Sequence, residues 1–367
     1  MNFDFDEDQR LLQKTARDFL EQRAPLSRVR EIFESDALLD ADLWSGVAEM
    51  GWTGAAIPES HGGAGFGYLE LALLAEETGR ALAPIPFGSS VYLVTEALRL
   101  AGSDEQQRRW LPELAAGRRI GAFAAAEGPG GHVAAEPGVE WRDGALHGAK
   151  EPVLDGAAAN LALVLARDPS GGRVLVLADL QANGAKNEPL ESLDPSRPLA
   201  RLVFEGTRAE RLQGDGAALL ARLEDRAAIL FAFEQLGGAQ RCLEEAIAFA
   251  RSRYAFGRPI ASFQAVKHQL ADLYTAVELA RSNCYYGAWA LHAQSDELPA
   301  AACLARISAT EAFEACSQES LHLHGGVGFT WEYDCHLFLR RSKLLSLALG
   351  STGRWKDRLV ALLDEAA

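Results

Sequence analysis

The sequence lacks the excess of positive charge that binding to nucleic acid or to an anionic membrane requires. Its 36 lysine and arginine residues face 51 aspartate and glutamate residues, which gives a net charge of -15 over 367 residues. A surface with this balance repels phosphate backbones and anionic headgroups. We therefore expect no nucleic acid and no membrane among the main partners, and a small molecule instead.

Cysteine is scarce, and long apolar runs are missing. The five cysteines show no CxxC spacing and are odd in number, so we expect neither a disulfide framework nor a zinc site. No stretch reaches the roughly 18 unbroken apolar residues of a membrane helix. The N-terminus, MNFDFDEDQRLL, is acidic where a signal peptide is basic and then apolar. These features predict a cytoplasmic location.

Hydrophobic periodicity divides the chain into three regions. Residues 1–118 carry apolar residues at helical spacing, as in segments 7–24 and 68–83. Residues 119–213 hold short β-like runs at 161–166, 174–180 and 200–206, separated by Gly, Pro, Asn and Asp turns. We therefore predict an α+β protein with a helical N-terminal domain (1–118) and a small central β domain (119–213).

The remaining residues, 214–367, are predicted to form a C-terminal helical bundle. After Gly216 proline is nearly absent, and a 3-4-3-4 rhythm of apolar residues marks one face of a long helix. The residues of this face are Phe263, Val266, Leu270, Leu273, Val277, Ala280 and Cys284. Such a face is buried against other helices.

A glycine-rich segment, LHLHGGVGFTW, spans residues 321–331. His322 and His324 are two residues apart, whereas zinc-binding histidine pairs on helices are four apart, so no metal site is expected. Gly325, Gly326 and Gly328 resemble a nucleotide-binding turn but follow a helical pattern and not a strand. Taken alone, they favour a helix C-cap followed by a tight turn.

A second segment, RYAFGRPIASFQAVKHQLADLY, spans residues 253–274. An arginine at a helix end suits a diphosphate, and a neighbouring exposed aromatic ring suits a heteroaromatic group. The alternative interpretation is a charged helix end with Phe256 as a packing anchor.

This second segment resembles the RxxFGxxIxxFQ motif of the acyl-CoA dehydrogenase family. The resemblance implies that Arg253, Phe256 and Gln264 hold the diphosphate and adenine side of FAD. It also implies that His322 and the GGxG glycines, Gly325, Gly326 and Gly328, approach the same FAD from a neighbouring subunit. Segments 57–84 and 144–167 resemble further family regions in the same order. The implied fold adds a β barrel in the centre and a C-terminal four-helix bundle through which subunits pair.

The family's catalytic base is missing from both of its usual positions. The family's reaction needs a carboxylate above the α carbon of a thioester as general base. In most members this glutamate falls on the position of Leu349, or of Gly350 if the register moves by one. Other relatives carry it 26 residues before the motif arginine, which is Ala227 here, followed by Ala228.

The central domain departs from the family as well. The usual TEPxxGSD reads AEGPGGHV, which keeps Glu127 but has His132 and Val133 for Ser and Asp. The flavin-edge WIT reads PVL, at residues 152–154. The losses therefore fall on the substrate side of the family's site, whereas the dinucleotide motifs are kept.

Glu234 is the candidate for a base carried by this chain. It lies seven residues beyond Ala227, about two helical turns, and therefore on about the same face. It interrupts an apolar run, and burial would raise its pKa towards that of a useful base. The alternative is a glutamate at a helix edge or subunit contact.

The resemblance implies FAD-dependent α,β-desaturation of an acyl-CoA, and HGGVGFTWE and FGRPIASFQAVKH are most similar to bacterial members that act on steroid side chains or other bulky acids. We expect an electron-transfer acceptor and either a homo-oligomer or an α2β2 assembly whose homologous sister chain supplies the base. One rival is a non-catalytic structural subunit that completes the FAD site of a sister chain. Another is a fold that binds CoA esters without flavin.

Overall fold

The computed structural model describes residues 5–128, 133 and 136–365. The N-terminal region is helical up to Ala115, as its periodicity predicts. Asp6 and Gln9 form a capping box that fixes the start of the first helix. The helices are α1 (Glu7–Arg23), α2 (Leu26–Phe33), α3 (Ala41–Glu49), α4 (Tyr68–Arg80), α5 (Glu96–Ala101) and α6 (Asp104–Ala115), with a π-helical segment at Gly88–Thr95 before α5.

The central region is a sheet that closes on itself. The strands are β1 (Gly121–Ala124), β2 (Glu140–Arg142), β3 (Ala145–Leu154), β4 (Leu161–Arg167), β5 (Arg173–Asp179), β6 (Ala185–Leu190) and β7 (Leu199–Arg211). The order is β1-β4-β2-β3-β7-β5, with β6 paired to β7 off this path, and antiparallel pairing of β4 with β5 completes the ring. Three of these strands, β4, β5 and β7, coincide with the apolar runs that the sequence predicts as strands. Closure leaves fewer free strand edges.

The C-terminal region is a bundle of long helices. They are α7 (Gly216–Ser252), α8 (Gln264–His292), α9 (Leu298–His324), α10 (Cys335–Leu347) and α11 (Thr352–Glu365), and a short hairpin of β8 (Tyr254–Ala255) and β9 (Arg258–Pro259) joins α7 to α8. On the predicted apolar face of α8, Leu273, Val277, Ala280 and Cys284 are buried. The residues before Leu273 on this face are only half-buried, because they lie next to the hairpin.

Helix α7 is clamped to the N-terminal domain by two close backbone contacts. A Cβ at Gly79 would lie 1.8 Å from the carbonyl oxygen of Glu234, and a Cβ at Gly237 would lie 1.9 Å from that of Glu76. Only glycine permits this approach of α4 and α7.

The predicted fold class, a helical N-terminal domain, a central β barrel and a helical C-terminal bundle, is confirmed.

A buried ion network joins the β domain to the bundle. Arg197, in the loop before β7, donates to both oxygens of Asp155 at 2.6 and 2.7 Å and to Oε1 of Glu234 at 2.9 Å. Arg341 of α10 reaches Asp194 of the same loop at 2.5 Å. Burial lowers the pKa of Arg197, but the carboxylates of Asp155 and Glu234 outweigh it and raise that pKa above its usual value. The guanidinium therefore stays charged inside the protein.

Candidate functional site

A cavity of about 260 Å³ opens where the β domain meets the bundle. Its wall is mostly apolar, which suits an aliphatic or ring-bearing group. The residues lining it are Ser89, Leu93, Phe123, Ala125, Ala126, Val133, Pro152, Leu154, Ser192, Leu193, Leu199, Glu224, Lys343, Leu344, Leu347, Ala348 and Leu349. The cavity is therefore built from the π-helical segment, the β domain, α7 and the end of α10.

The two family positions for a base carry no carboxylate at this cavity. Leu349 lines it with an aliphatic side chain, and Ala227 is fully buried in α7. The acidic residue in the wall is instead Glu224, one helical turn before Ala227. Its Oε2 accepts a hydrogen bond from Arg354 at 2.6 Å, and Arg354 donates a second one to the carbonyl oxygen of Leu349 at 2.9 Å.

Glu234, the base predicted from the sequence, does not line this cavity. It is 2% exposed and binds Arg197 within the buried network. Its Oε1 also lies 3.9 Å from Arg341. Two guanidinium groups around one carboxylate favour a structural role over proton transfer, and the predicted catalytic role stays a prediction.

Glu127, the residue kept from the family's TEPxxGSD segment, is paired with Lys150, which is fully buried. Although burial opposes it, hydrogen bonds from Lys150 and from the backbone N–H of Gly138 lower the pKa of Glu127. The pair points into the β domain and is not part of the cavity wall. Val133 does line the wall, whereas His132 lies outside the described residues.

Of residues 152–154, two line the cavity and one lies in the core. Pro152 and Leu154 line the cavity, whereas Val153 is fully buried. Period-two alternation along β3 explains the split, since neighbouring side chains point to opposite faces of a strand. The segment therefore presents an apolar surface where the family's motif carries a threonine.

The predicted dinucleotide residues lie on and beside the hairpin between α7 and α8. Arg253 and Gln264 are exposed, and Phe256 is 95% exposed at the hairpin turn. Positive φ values of 53° at Phe256 and 79° at Gly257 hold this ring out of the protein. Among the described residues, the Arg253 guanidinium has no ion-pair or hydrogen-bond partner. These side chains are therefore available to a ligand.

The glycine-rich turn caps the end of α9, as the plain interpretation predicts. Gly325 ends the helix with a φ of 63°. Gly328 is packed inside, since a Cβ there would lie 2.4 Å from the carbonyl oxygen of Leu321, whereas a Cβ at Gly326 would meet no atom of the described residues within 4 Å. His322 is exposed and lies 3.3 Å from Glu319. No contact within the described part of the chain therefore accounts for glycine at position 326.

Both predicted dinucleotide segments lie at one end of the bundle. The ring of His324, on α9, packs on that of Phe249, one turn before Arg253, with 4.1 Å between ring centroids. His324 is thus buried while His322 faces solvent, so the two histidines do not converge on one point. Among the described residues, no cluster of three or more metal-ligating side chains occurs.

Helix α2 fixes the segment that follows the glycines. Arg30 donates to Asp334 at 2.5 Å and to the carbonyl oxygen of Trp331, and its guanidinium lies 5.7 Å from the centroid of the Trp331 ring. Arg340 lies 5.7 Å from the same ring centroid. Sequence reasoning missed this anchor because Arg30 and Asp334 are 304 residues apart.

The chemistry of these residues fits FAD. An unpaired guanidinium suits a diphosphate, an exposed aromatic ring suits adenine, and a glycine with open space above it permits close approach of a ligand or a second chain. The described wall of the cavity is apolar except at Glu224, Lys343 and two serines, so it suits an acyl group. Within the described part of the chain, no helix combines the length and apolar character needed to cross a bilayer.

Comparisons with known proteins agree with this arrangement. The family profiles described as "Acyl-CoA dehydrogenase, N-terminal domain" and "Acyl-CoA dehydrogenase, C-terminal domain" match residues 6–118 and 214–360. The chain is 34% identical over 337 residues to the acyl-CoA dehydrogenase IpdE2 of Mycobacterium tuberculosis, covering 92% of this chain and 91% of that protein.

Two solved structures share the fold over nearly the whole chain. A variant of the Tcur3481-Tcur3483 steroid ACAD superposes with a TM-score of 0.90 at 32% identity, covering 98% of both chains. The ChsE4-ChsE5 complex from Mycobacterium tuberculosis superposes with a TM-score of 0.91 at 28% identity, covering 100% of this chain and 99% of that one.

Proposed function

The chain belongs to the acyl-CoA dehydrogenase family, and from this premise we propose that it is one subunit of a heteromeric, FAD-dependent enzyme that desaturates a bulky acyl-CoA between its α and β carbons. The acyl group is that of a steroid side chain or another bulky acid. When bound, FAD supplies the acceptor for the hydride that leaves the β carbon. All five cysteines are buried free thiols, which suits the reducing cytoplasm that the sequence predicts.

The observation that carries the proposal is a division within the chain. At the end of the bundle, Arg253, Phe256 and Gly326 are exposed; within the described residues, the Arg253 side chain has no partner and a Cβ at Gly326 would meet no atom. Leu349, in the cavity wall, and Ala227, buried in α7, stand where a base belongs. A chain of this kind holds part of the cofactor and depends on a second chain for proton transfer.

The comparisons support a heteromeric assembly and a bulky substrate. The similar solved structures are titled as a steroid ACAD made of Tcur3481 and Tcur3483 and as a complex of ChsE4 with ChsE5. The apolar cavity fits the same class of ligand, because it offers aliphatic walls and few groups that would need polar partners. An electron-transfer protein that reoxidises the flavin completes the proposal.

Flavin stoichiometry and native mass test the assembly. Expressed alone, this chain should bind FAD weakly, since it presents only part of the site. Co-expressed with a homologous sister chain encoded by the same organism, it should yield about one flavin per heterodimer, measured by visible absorbance against protein concentration and by native mass spectrometry. A homo-oligomer of this chain with one flavin in every subunit would contradict the heteromeric proposal.

The second candidate function is that of a non-catalytic subunit which completes the FAD site of its sister. The absence of a carboxylate at Leu349 and Ala227 favours this candidate as much as the first one. The two candidates differ in the cavity: a catalytic subunit binds the acyl group there, whereas a structural one leaves it unused. Substituting Leu344, a wall residue, with Phe should slow desaturation by the assembled enzyme in the first case and leave it unchanged in the second.

Arg253→Ala should weaken FAD binding while the fold persists. A charge-assisted hydrogen bond contributes roughly 1.5–3 kcal/mol, which corresponds to about a 10- to 100-fold loss of affinity. Flavin retained after gel filtration and unfolding temperature measure the two properties separately. Arg251→Ala, which removes another exposed guanidinium two residues away, is the control and should keep the flavin. Undiminished flavin in Arg253→Ala would remove the assignment.

A further inference from the structure

Glu224 is a carboxylate in the cavity wall to which the proposed reaction gives no role. It is the only acidic residue among the described residues lining the cavity, and its side chain is 5% exposed. Arg354 occupies one carboxylate oxygen, Oε2. Within the described part of the chain, the other oxygen, Oε1, has no hydrogen-bond donor. This oxygen is not among the buried, partnerless side-chain atoms of the described residues, so it is open to the cavity, where a donor of a ligand can reach it.

The setting of this carboxylate favours recognition over proton transfer. The Arg354 guanidinium is fixed by its bond to the Leu349 carbonyl, which also accepts from the indole N–H of Trp355 at 3.1 Å. One carboxylate oxygen is thus bound by a guanidinium, and the other can accept a hydrogen bond from a ligand. Glu224 is therefore suited to hold a donor of the ligand in place.

We propose that Oε1 of Glu224 accepts a hydrogen bond from an O–H or N–H group of the acyl-CoA, which makes Glu224 a specificity-determining residue of this cavity. This inference rests on the proposed function. Two parts of such a ligand carry the required chemistry. One is a hydroxyl on the acyl group, and the other is an amide N–H of the pantetheine arm. Either donor would meet the one acidic residue among the described residues of a mostly apolar wall.

Glu224→Gln tests the inference because it exchanges the acceptor for a donor. The amide oxygen of the glutamine can take the bond from Arg354, which turns its NH₂ group towards the cavity. The probes are the CoA thioesters of cholanic acid and of lithocholic acid, which differ by one ring hydroxyl. Calorimetric titration of the isolated enzyme, with its flavin reduced by dithionite so that no turnover occurs, gives the dissociation constants.

Three outcomes are distinguishable. Loss of about 10- to 100-fold in affinity for the hydroxylated thioester alone would identify the acyl hydroxyl as the donor, since this is the contribution of a charge-assisted hydrogen bond. An equal loss for both thioesters would identify the pantetheine N–H. Affinities within about twofold of the parent for both would overturn the inference. A parent enzyme that binds neither thioester would instead remove the proposed function and the inference with it.

Two further variants control for stability. Glu314→Gln breaks the 2.8 Å ion pair with Lys343, the cation of the cavity wall, but places no change in the wall itself, so both affinities should be kept. If Glu224→Gln does not fold, Arg354→Gln removes the same ion pair from the other side. The carboxylate that remains should keep the affinity and the preference of the parent, and loss of either would overturn the inference.

Discussion

Replacing Arg197 with leucine is expected to destabilise the folded protein by about 3–5 kcal/mol, the cost of removing one partner from a buried ion pair. Arg197 is 1% exposed and is shared by Asp155 and Glu234, both also buried. Its loss would leave two carboxylates with one guanidinium, that of Arg341, at 3.9 Å from Glu234. The free energy of unfolding, obtained from urea titration followed by circular dichroism, measures the effect.

Arg201→Leu is the matched control for this substitution. Arg201 lies four residues away, is 43% exposed, and pairs with Glu151 and Glu188 on the surface of the β domain. Exposed pairs contribute roughly 0–1 kcal/mol, so this variant should unfold close to the parent. Equal stability of the two variants would show that the network between β domain and bundle contributes no more than a surface pair.

The network also shows where prediction from the sequence ended. The apolar run around Glu234 indicates burial, and the structure places the residue inside. The partner is Arg197, which lies in a loop of another domain, 37 residues earlier. Periodicity describes which face of a helix is buried, but it does not describe which loop of a separate domain reaches that face. The role of Glu234 as a base was inferred without this contact.

The large-scale organisation, by contrast, followed from local patterns. The long apolar face of α8 and the short runs that became β4, β5 and β7 each report the geometry of one element, and the family resemblance supplied their arrangement. Both the family and the fold class are confirmed. The roles of Arg253, Phe256 and Gln264 remain predictions, although the structure leaves all three exposed at one end of the bundle.

Glu224 could have been found by the reasoning that selected Glu234. It lies three residues before Ala227, close to one helical turn, although it stands beside Asp225 and Arg226 and not within an apolar run. What the sequence does not reveal is that α11 folds back so that Arg354 meets it. Helix α11 is further held by Arg358, whose guanidinium lies 2.6 Å from Asp225, the next residue of α7.

Without a sister chain, this protein is expected to reduce bound flavin with acyl-CoA at least about 10²–10⁴-fold more slowly than the assembled enzyme, because a positioned general base contributes about that factor. The physical reason is the state of each carboxylate near the cavity. Glu234 is held by Arg197 and Glu224 by Arg354, while Leu349 and Ala227 cannot accept a proton. Anaerobic stopped-flow measurement of flavin bleaching, normalised to bound flavin, gives both rate constants.

Glu234→Gln in the assembled enzyme separates the two possible sources of the base. If the sister chain supplies it, bleaching per bound flavin should stay near the parent rate even where the variant unfolds more easily, since the change disturbs the Arg197 network only. If Glu234 is the base, the rate should fall by about 10²–10⁴-fold while acyl-CoA binding persists. A homo-oligomer that carries a full set of flavins and bleaches rapidly would return the base to this chain. If that base is Glu234, its contact with Arg197 must open during the reaction. Comparing the bleaching rates of Glu234→Gln and Glu224→Gln would then identify the base as the residue whose substitution slows bleaching more.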